Sequence, residues 1–92
     1  MIGSFADDDA EMIFDGARNR RYSGIESIIE RKLRAIEAAM SLQDLTVPPG
    51  NRLEALKGDR NGRHSIRIDD QYRICFRWKG NHAYEIEIVD HR

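Results

Sequence analysis

Several things are scarce in this sequence, and each shortage excludes something. There is one cysteine, Cys75, so no disulfide can close within the chain and no cysteine cluster exists for zinc. No apolar run approaches the roughly 18 residues that a membrane helix needs. The opening MIGSFADDDAEMIF lacks the basic and then apolar order of a secretion signal, so a cytoplasmic protein without membrane contact is expected. His64, His82 and His91 are scattered, with no H-x-x-x-H pair, and no G-x-x-x-x-G-K-[ST] loop is present for nucleotide phosphates. Neither a metal nor any other cofactor is therefore expected. Repeats and low-complexity tracts are missing too. Only two prolines occur, and they are adjacent.

What is present suits one small folded domain spanning residues 1–92. Hydrophobic residues make up 40% and charged residues 34%, enough apolar content to fold. The net charge of −1, from 15 Lys+Arg and 16 Asp+Glu, argues at first against a nucleic-acid partner. That total hides an asymmetry. Residues 1–50 carry nine acidic against six basic groups, whereas residues 52–79 carry eight basic against four acidic, a net of +4. Twelve of the basic residues are arginine, the side chain suited to bidentate phosphate binding and to stacking on bases.

Pro48-Pro49-Gly50 divides a helical half from a strand half, because two prolines and a glycine suit neither helix nor central strand. Before it, Ile2 and Phe5 suit a short opening strand. Asp7, Asp8, Asp9 and Glu11 place negative charge on the first turn of a helix that runs to about Gly16 and buries Ala10, Ile13 and Phe14. Ser23-Gly24-Ile25-Glu26 has capping-box spacing. The apolar stripe behind it comprises Ile25, Ile28, Ile29, Leu33, Ile36, Ala39 and Met40. After the prolines the period becomes two: Ile66 and Ile68, then Tyr72, Ile74, Phe76 and Trp78, then Tyr84, Ile86 and Ile88. Short polar connections at 69–71 and 79–82 fit hairpins. The pattern predicts an α+β fold, two helices on one face of a mostly antiparallel sheet. The other face carries arginines beside Glu85 and Glu87.

Such a face suits a phosphate-rich ligand. Arg73, in mid-strand, is the foremost candidate; its bland alternative is a cross-strand pair with Glu85 or Glu87. Lys57 precedes a Gly-Asp turn and should project from a strand end, where a solvated lysine is the simpler reading. Metal-free acid–base chemistry would draw on Lys57, Arg73, Asp90, His91 and Glu54. Asp90 and His91 close the last strand, where frayed terminal residues are equally expected.

The runs Asn51-Arg52-Leu53-Glu54-Ala55-Leu56-Lys57-Gly58-Asp59-Arg60, His64-Ser65-Ile66-Arg67-Ile68, Asp70-Gln71-Tyr72-Arg73-Ile74-Cys75-Phe76 and Glu87-Ile88-Val89-Asp90 resemble the HigB-type toxins of the RelE/ParE toxin–antitoxin superfamily. The likeness spans essentially the whole chain, and the Leu-Lys-Gly-Asp turn with the aromatic-Arg-Ile-x-Phe strand is its more specific part. It implies a RelE-like α+β domain that cuts messenger RNA in the A site of the translating 70S ribosome. Catalysis in the family uses no metal: the ribose 2′-OH attacks the adjacent phosphate. The partner implied is a helix-turn-helix, HigA-like antitoxin, with operator DNA contacted only through it. By this resemblance Lys57 and Arg73 would stabilise the transition state and Asp90 would be the base. Arg52, Arg60, Arg63, Arg67 and Arg77 would bind RNA or ribosome. Two departures stand out: the chain ends Asp90-His91-Arg92 where the family usually has Asp-Tyr-His, and Glu54 replaces a histidine three residues before the Lys-Gly. Two other classes remain open. One is a gyrase-poisoning, ParE-like toxin of the same fold; the other is a non-catalytic RNA- or protein-binding module.

Overall fold

The structure, a computed structural model, describes residues 1–60 and 62–90. Among the described residues three strands follow the period-two segments, β2 Arg63–Arg67, β3 Tyr72–Lys79 and β4 His82–Asp90, and a fourth that the pattern did not signal, β1 Glu54–Ala55, precedes them. They pair antiparallel in chain order, the meander that the pattern predicts. The turn chemistry sets the register. The Asp69 carboxylate accepts the backbone N–H groups of Gln71 and Tyr72, both at 2.8 Å, at the β2–β3 corner. At the β3–β4 corner Gly80 and Asn81 both have positive φ, 56° and 66°. That is the primed two-residue turn whose twist suits a hairpin.

The opening residues run parallel beside β4. Gly3 N–H donates to the Ala83 carbonyl at 2.7 Å and Ala6 N–H to the Ile86 carbonyl at 2.9 Å. The expected opening strand is thus two isolated bridges, Ile2 to Ala83 and Phe5 to Ile86. Only glycine fits at position 3, since a Cβ there would lie 2.4 Å from Cε1 of Tyr84.

Helix α1 spans Asp8–Phe14. Asp7 caps it, accepting from the N–H of Asp9 at 2.9 Å, and its other oxygen accepts from Ile88 N–H at 3.0 Å. One carboxylate therefore starts the helix and fastens it to β4. Helix α2 spans Glu26–Ala38. The capping box expected from Ser23 does not form. A 3₁₀ turn at Arg20–Tyr22 ends at Ser23, which leaves Ile25 at the cap position without a side-chain bond. The Ser23 N–H goes to the Arg20 carbonyl, while Glu26 accepts from the N–H of Gly24 at 2.9 Å and of Asn19 at 3.2 Å. These bonds hold its carboxyl below the usual carboxylate range.

The predicted stripe of α2 meets the sheet through Ile29, Leu33 and Ile36, packed on Ile66, Ile74, Phe76, Ile86 and Ile88. Full burial of each such side chain contributes about 1.5–3 kcal/mol. Met40 departs from the expectation: the helix stops two residues earlier and Met40 is 73% exposed. Two further 3₁₀ turns follow, Leu42–Thr46, which no sequence pattern signalled, and Pro49–Asn51 within the Pro-Pro-Gly divide.

His64 sits at the start of β2 on the helix side of the sheet, opposite Phe76 and stacked on its ring at 6.3 Å. Its Nδ1 is buried without a hydrogen-bond partner among the described residues, and burial pushes the imidazole pKa below its ordinary 6.5. The unfolded chain therefore binds the proton first, and stability falls as pH drops below about 6.5. Thermal melts between pH 7.5 and 5.5 should show that decline, and His64→Phe should flatten it. An equal slope in both proteins would rule this cause out.

Candidate functional site

Strand alternation puts Glu54, Arg63, Ser65, Arg67, Arg73, Cys75 and Arg77 on the sheet face away from the helices, and register places each beside its neighbours. Arg73 is the centre of this face. It is only 4% exposed, which is rare for an arginine and requires acceptors. Its Nε donates to Ser65 Oγ at 2.8 Å. Its Nη2 donates to the Arg52 carbonyl at 2.6 Å and to the Ser65 carbonyl at 3.3 Å. The Glu54 carboxylate lies 3.8 Å from the same nitrogen. Of the cross-strand pairs weighed for Arg73, with Glu85 or Glu87, the first is not seen: Glu85 is engaged by Arg63 and Arg77, and a described ion pair of Arg73 runs to Glu54 on β1.

The Arg52 carbonyl has its own support. Arg52 ends the Pro49–Asn51 turn with φ 46° and ψ 55°, a left-handed conformation uncommon for arginine. The residue before it, Asn51, is fully buried. Its Nδ2 donates to the carbonyls of Leu45 at 3.1 Å and Val47 at 3.3 Å, while its Oδ1 accepts from Lys32 Nζ. Burial, assisted by Arg31 and Arg67, pushes the Lys32 pKa down. A chain of bonds thus runs from α2 through Asn51 and the Arg52 backbone to Arg73. Sequence reading did not single out Asn51, because an asparagine after Pro-Pro-Gly reads as an ordinary turn residue.

The other candidates separate. Lys57 is exposed just before the Gly58–Arg60 turn, and among the described residues no hydrogen bond or ion pair engages its ammonium. Asp90 closes β4 opposite Tyr72, whose ring packs edge-on against Tyr22 at 5.2 Å. Cross-strand partners share a face, so Asp90 lies on the helix side while its neighbour Val89 shares the face of Arg73. Gln71 Nε2 donates to the Asp90 carboxylate at 3.2 Å. His91 and the side chain of Arg60 lie outside what is described. The structure thus unites Arg73, Glu54 and the Arg52 backbone, and sets Asp90 apart.

Three further arginines of the face are paired. Arg67 bonds the Asp70 carboxylate. Arg63 Nη2 lies 2.8 Å from Glu85 Oε2, and Arg77 Nε lies 3.1 Å from Glu85 Oε1. The bond from Arg63 holds the Glu85 carboxyl below its usual range. No cluster of three or more metal-ligating side chains occurs among the described residues. No described helix is long and apolar enough to cross a membrane.

This arrangement of a buried strand arginine paired with a carboxylate of the edge strand can be compared with known proteins. The model of the HigB-like toxins, RelE-like toxins of the type II toxin–antitoxin system HigB, matches residues 3–91. The chain belongs to this family. Toxin HigB-1 of Vibrio cholerae serotype O1 is 37% identical over 94 residues, covering all of this chain and 99% of the relative. An uncharacterized protein of Haemophilus influenzae is 33% identical over 69 residues, 75% of this chain and 68% of the relative. This HigB-like chain is thus a type II toxin, and membership implies an antitoxin partner.

In this toxin the face mixes residues that hold the fold with residues that are free to act. Asn51→Leu strands the Lys32 ammonium and two carbonyls, so it should cost about 1–3 kcal/mol. Arg73→Ala removes charge-assisted bonds and should cost about 2–3 kcal/mol. Lys57→Ala should stay within about 0.5 kcal/mol of the parent. Denaturant midpoints at constant slope would check this ranking.

Proposed function

We propose that this HigB-like toxin is a ribosome-dependent endoribonuclease that cuts translated messenger RNA in the ribosomal A site of the cytoplasm without a metal. The observation that carries the reading is the Glu54–Arg73 pair on the sheet face away from the helices. Arg73, anchored by Ser65 and the Arg52 carbonyl, fixes the half-exposed Glu54 carboxylate from behind. The carboxylate stands three residues before Lys57, whose exposed ammonium is available to a phosphate. The residues 1–92 act as one domain, and a HigA-like helix-turn-helix antitoxin restrains it and alone contacts operator DNA.

In this mechanism Glu54 takes the proton of the ribose 2′-OH, and the 2′-oxygen bonds to phosphorus. Lys57 balances the charge that grows on the non-bridging oxygens, and Arg73 adds positive potential from below. The P–O5′ bond breaks, and the leaving 5′-oxygen takes a proton from His91. The products are a 2′,3′-cyclic phosphate and a 5′-OH. Glu54 is favoured over Asp90 as the base because it shares the face of Arg73 whereas Asp90 does not. Arg52, Arg60, Arg63, Arg67 and Arg77 supply contacts to RNA phosphates, the term that makes binding salt-dependent.

A second reading rests on the depth of Arg73. An arginine only 4% exposed serves the fold well, and a ParE-like gyrase poison needs this fold without acid–base groups. Supercoiling by purified gyrase separates the two, because a nuclease leaves it unchanged.

Induction without antitoxin should arrest growth and create new 5′ ends within codons of translated messages, mapped by primer extension. Lys57→Ala and Glu54→Gln should each lower cleavage by about 10²–10³-fold while the protein stays folded. Growth arrest with intact messages would overturn the assignment.

A further inference from the structure

The outer sheet face carries an ionic arrangement that fold stability alone does not require. Arg63 and Arg77 face each other directly in the β2–β3 register, a like-charge pair that repels unless an anion bridges it. The bridge is Glu85. Its Oε2 accepts from Arg63 Nη2 at 2.8 Å and its Oε1 lies 3.1 Å from Arg77 Nε. Two anionic oxygens of one group, each held by a different guanidinium, is also how a phosphodiester would sit there.

Glu85 reaches this place through a distortion. The β3–β4 register shifts between Cys75 and Arg77, and Glu85 occupies the bulge with φ 55°, a left-handed position that favours glycine. Its N–H is tied to Ser4 Oγ at 2.9 Å, so the bulge is anchored by the opening segment. A half-exposed residue strained in this way between two arginines points to a role beyond local packing. The pair also lies in line with the site already described. Arg63 is two residues along β2 from Ser65, about 6.6 Å on the same face, and Ser65 holds Arg73.

The geometry points to the Arg63–Arg77 pair as a second phosphate subsite for an RNA strand, with Glu85 as its built-in competitor, displaced when RNA binds. This rests on the reading of the protein as an RNA-directed toxin. Glu85 thereby sets the affinity for RNA: it lowers binding to stray RNA and yields only where a strand is presented with its phosphates in place. The step involves no covalent chemistry, only the exchange of a carboxylate for a phosphodiester.

The test is fluorescence titration of the purified full-length chain with a labelled 2′-O-methyl oligoribonucleotide, which lacks the attacking hydroxyl and so reports binding alone. Glu85→Gln should bind about three- to tenfold tighter than the parent. Its affinity should also fall more steeply with salt. Glu85→Gly, which relieves the left-handed position, should do the same and covers a misfolded glutamine variant. Glu30→Gln, an equal charge change on α2, should leave binding unchanged. In an Arg63→Ala/Arg77→Ala background, Glu85→Gln should gain nothing. Repeating the titration with 70S ribosomes lacking message distinguishes the source of the phosphate. A gain on the oligonucleotide assigns a message strand, and a gain confined to ribosomes assigns ribosomal RNA. No gain with either probe, or an equal gain without the two arginines, would overturn the subsite. Because cleavage is never read, a chain that fails the 5′-end mapping yet passes this titration loses the nuclease reading and keeps the subsite.

Discussion

The geometry of the outer face depends on one buried guanidinium. Arg73 is held among neighbours that offer a hydroxyl, two carbonyls and, at longer range, a carboxylate. A charge taken out of water is tolerated only when such partners surround it. They come from β1, from β2 and from the turn before β1, so satisfying one side chain positions three separate pieces of chain. The two-residue edge strand β1 has few ladder bonds of its own. The Arg73 contacts help explain why Glu54 has a defined place at all.

Behind that centre lies a support reaching the helical layer. Asn51 has no exposed surface, and its amide converts the irregular 42–51 segment into a braced one. Lys32 closes the link from α2. In this chain the proposed chemistry is therefore tied to packing: the group nearest it is also among the most structurally committed. Lys57 and Glu85 show the opposite economy. The first is exposed and unengaged among the described residues; the second holds a strained backbone and a bridging carboxylate whose contribution to stability is modest by the usual measure of exposed ion pairs.

Much of the architecture was legible from the residues, for identifiable reasons. Alternation in Tyr72–Lys79 reflects a sheet with one face buried, and the Ile29, Leu33, Ile36 stripe reflects a helix lying on it. In β4 the expected inward set of Tyr84, Ile86 and Ile88 holds only for the two isoleucines: the bulge at Glu85 shifts the alternation, so Tyr84 pairs with Arg77 on the outer face and Ala83 is buried in its place. The failures were local competitions. Ser23 has the spacing of a cap, but the Arg20–Tyr22 turn ends there and takes it out of position. Met40 has the spacing of the stripe, but the backbone leaves the helix before it. Asn51 gave no signal, because burial of a turn asparagine depends on what folds over it.

The sequence by itself determined the layers, the meander of β2, β3 and β4 and the gathering of basic charge into residues 52–79, since each follows from periodicity, short turns and composition. Only the tertiary structure decided which ions meet. Whether Arg73 pairs with Glu85 or Glu54 depends on a one-residue bulge in β4 and on the path of an edge strand, neither written in local pattern. The same applies to Asp90, which a single step of strand alternation turns to the helix side. Charge pairing is a matter of a few ångströms across different strands, and that distance exists only once the chain has folded.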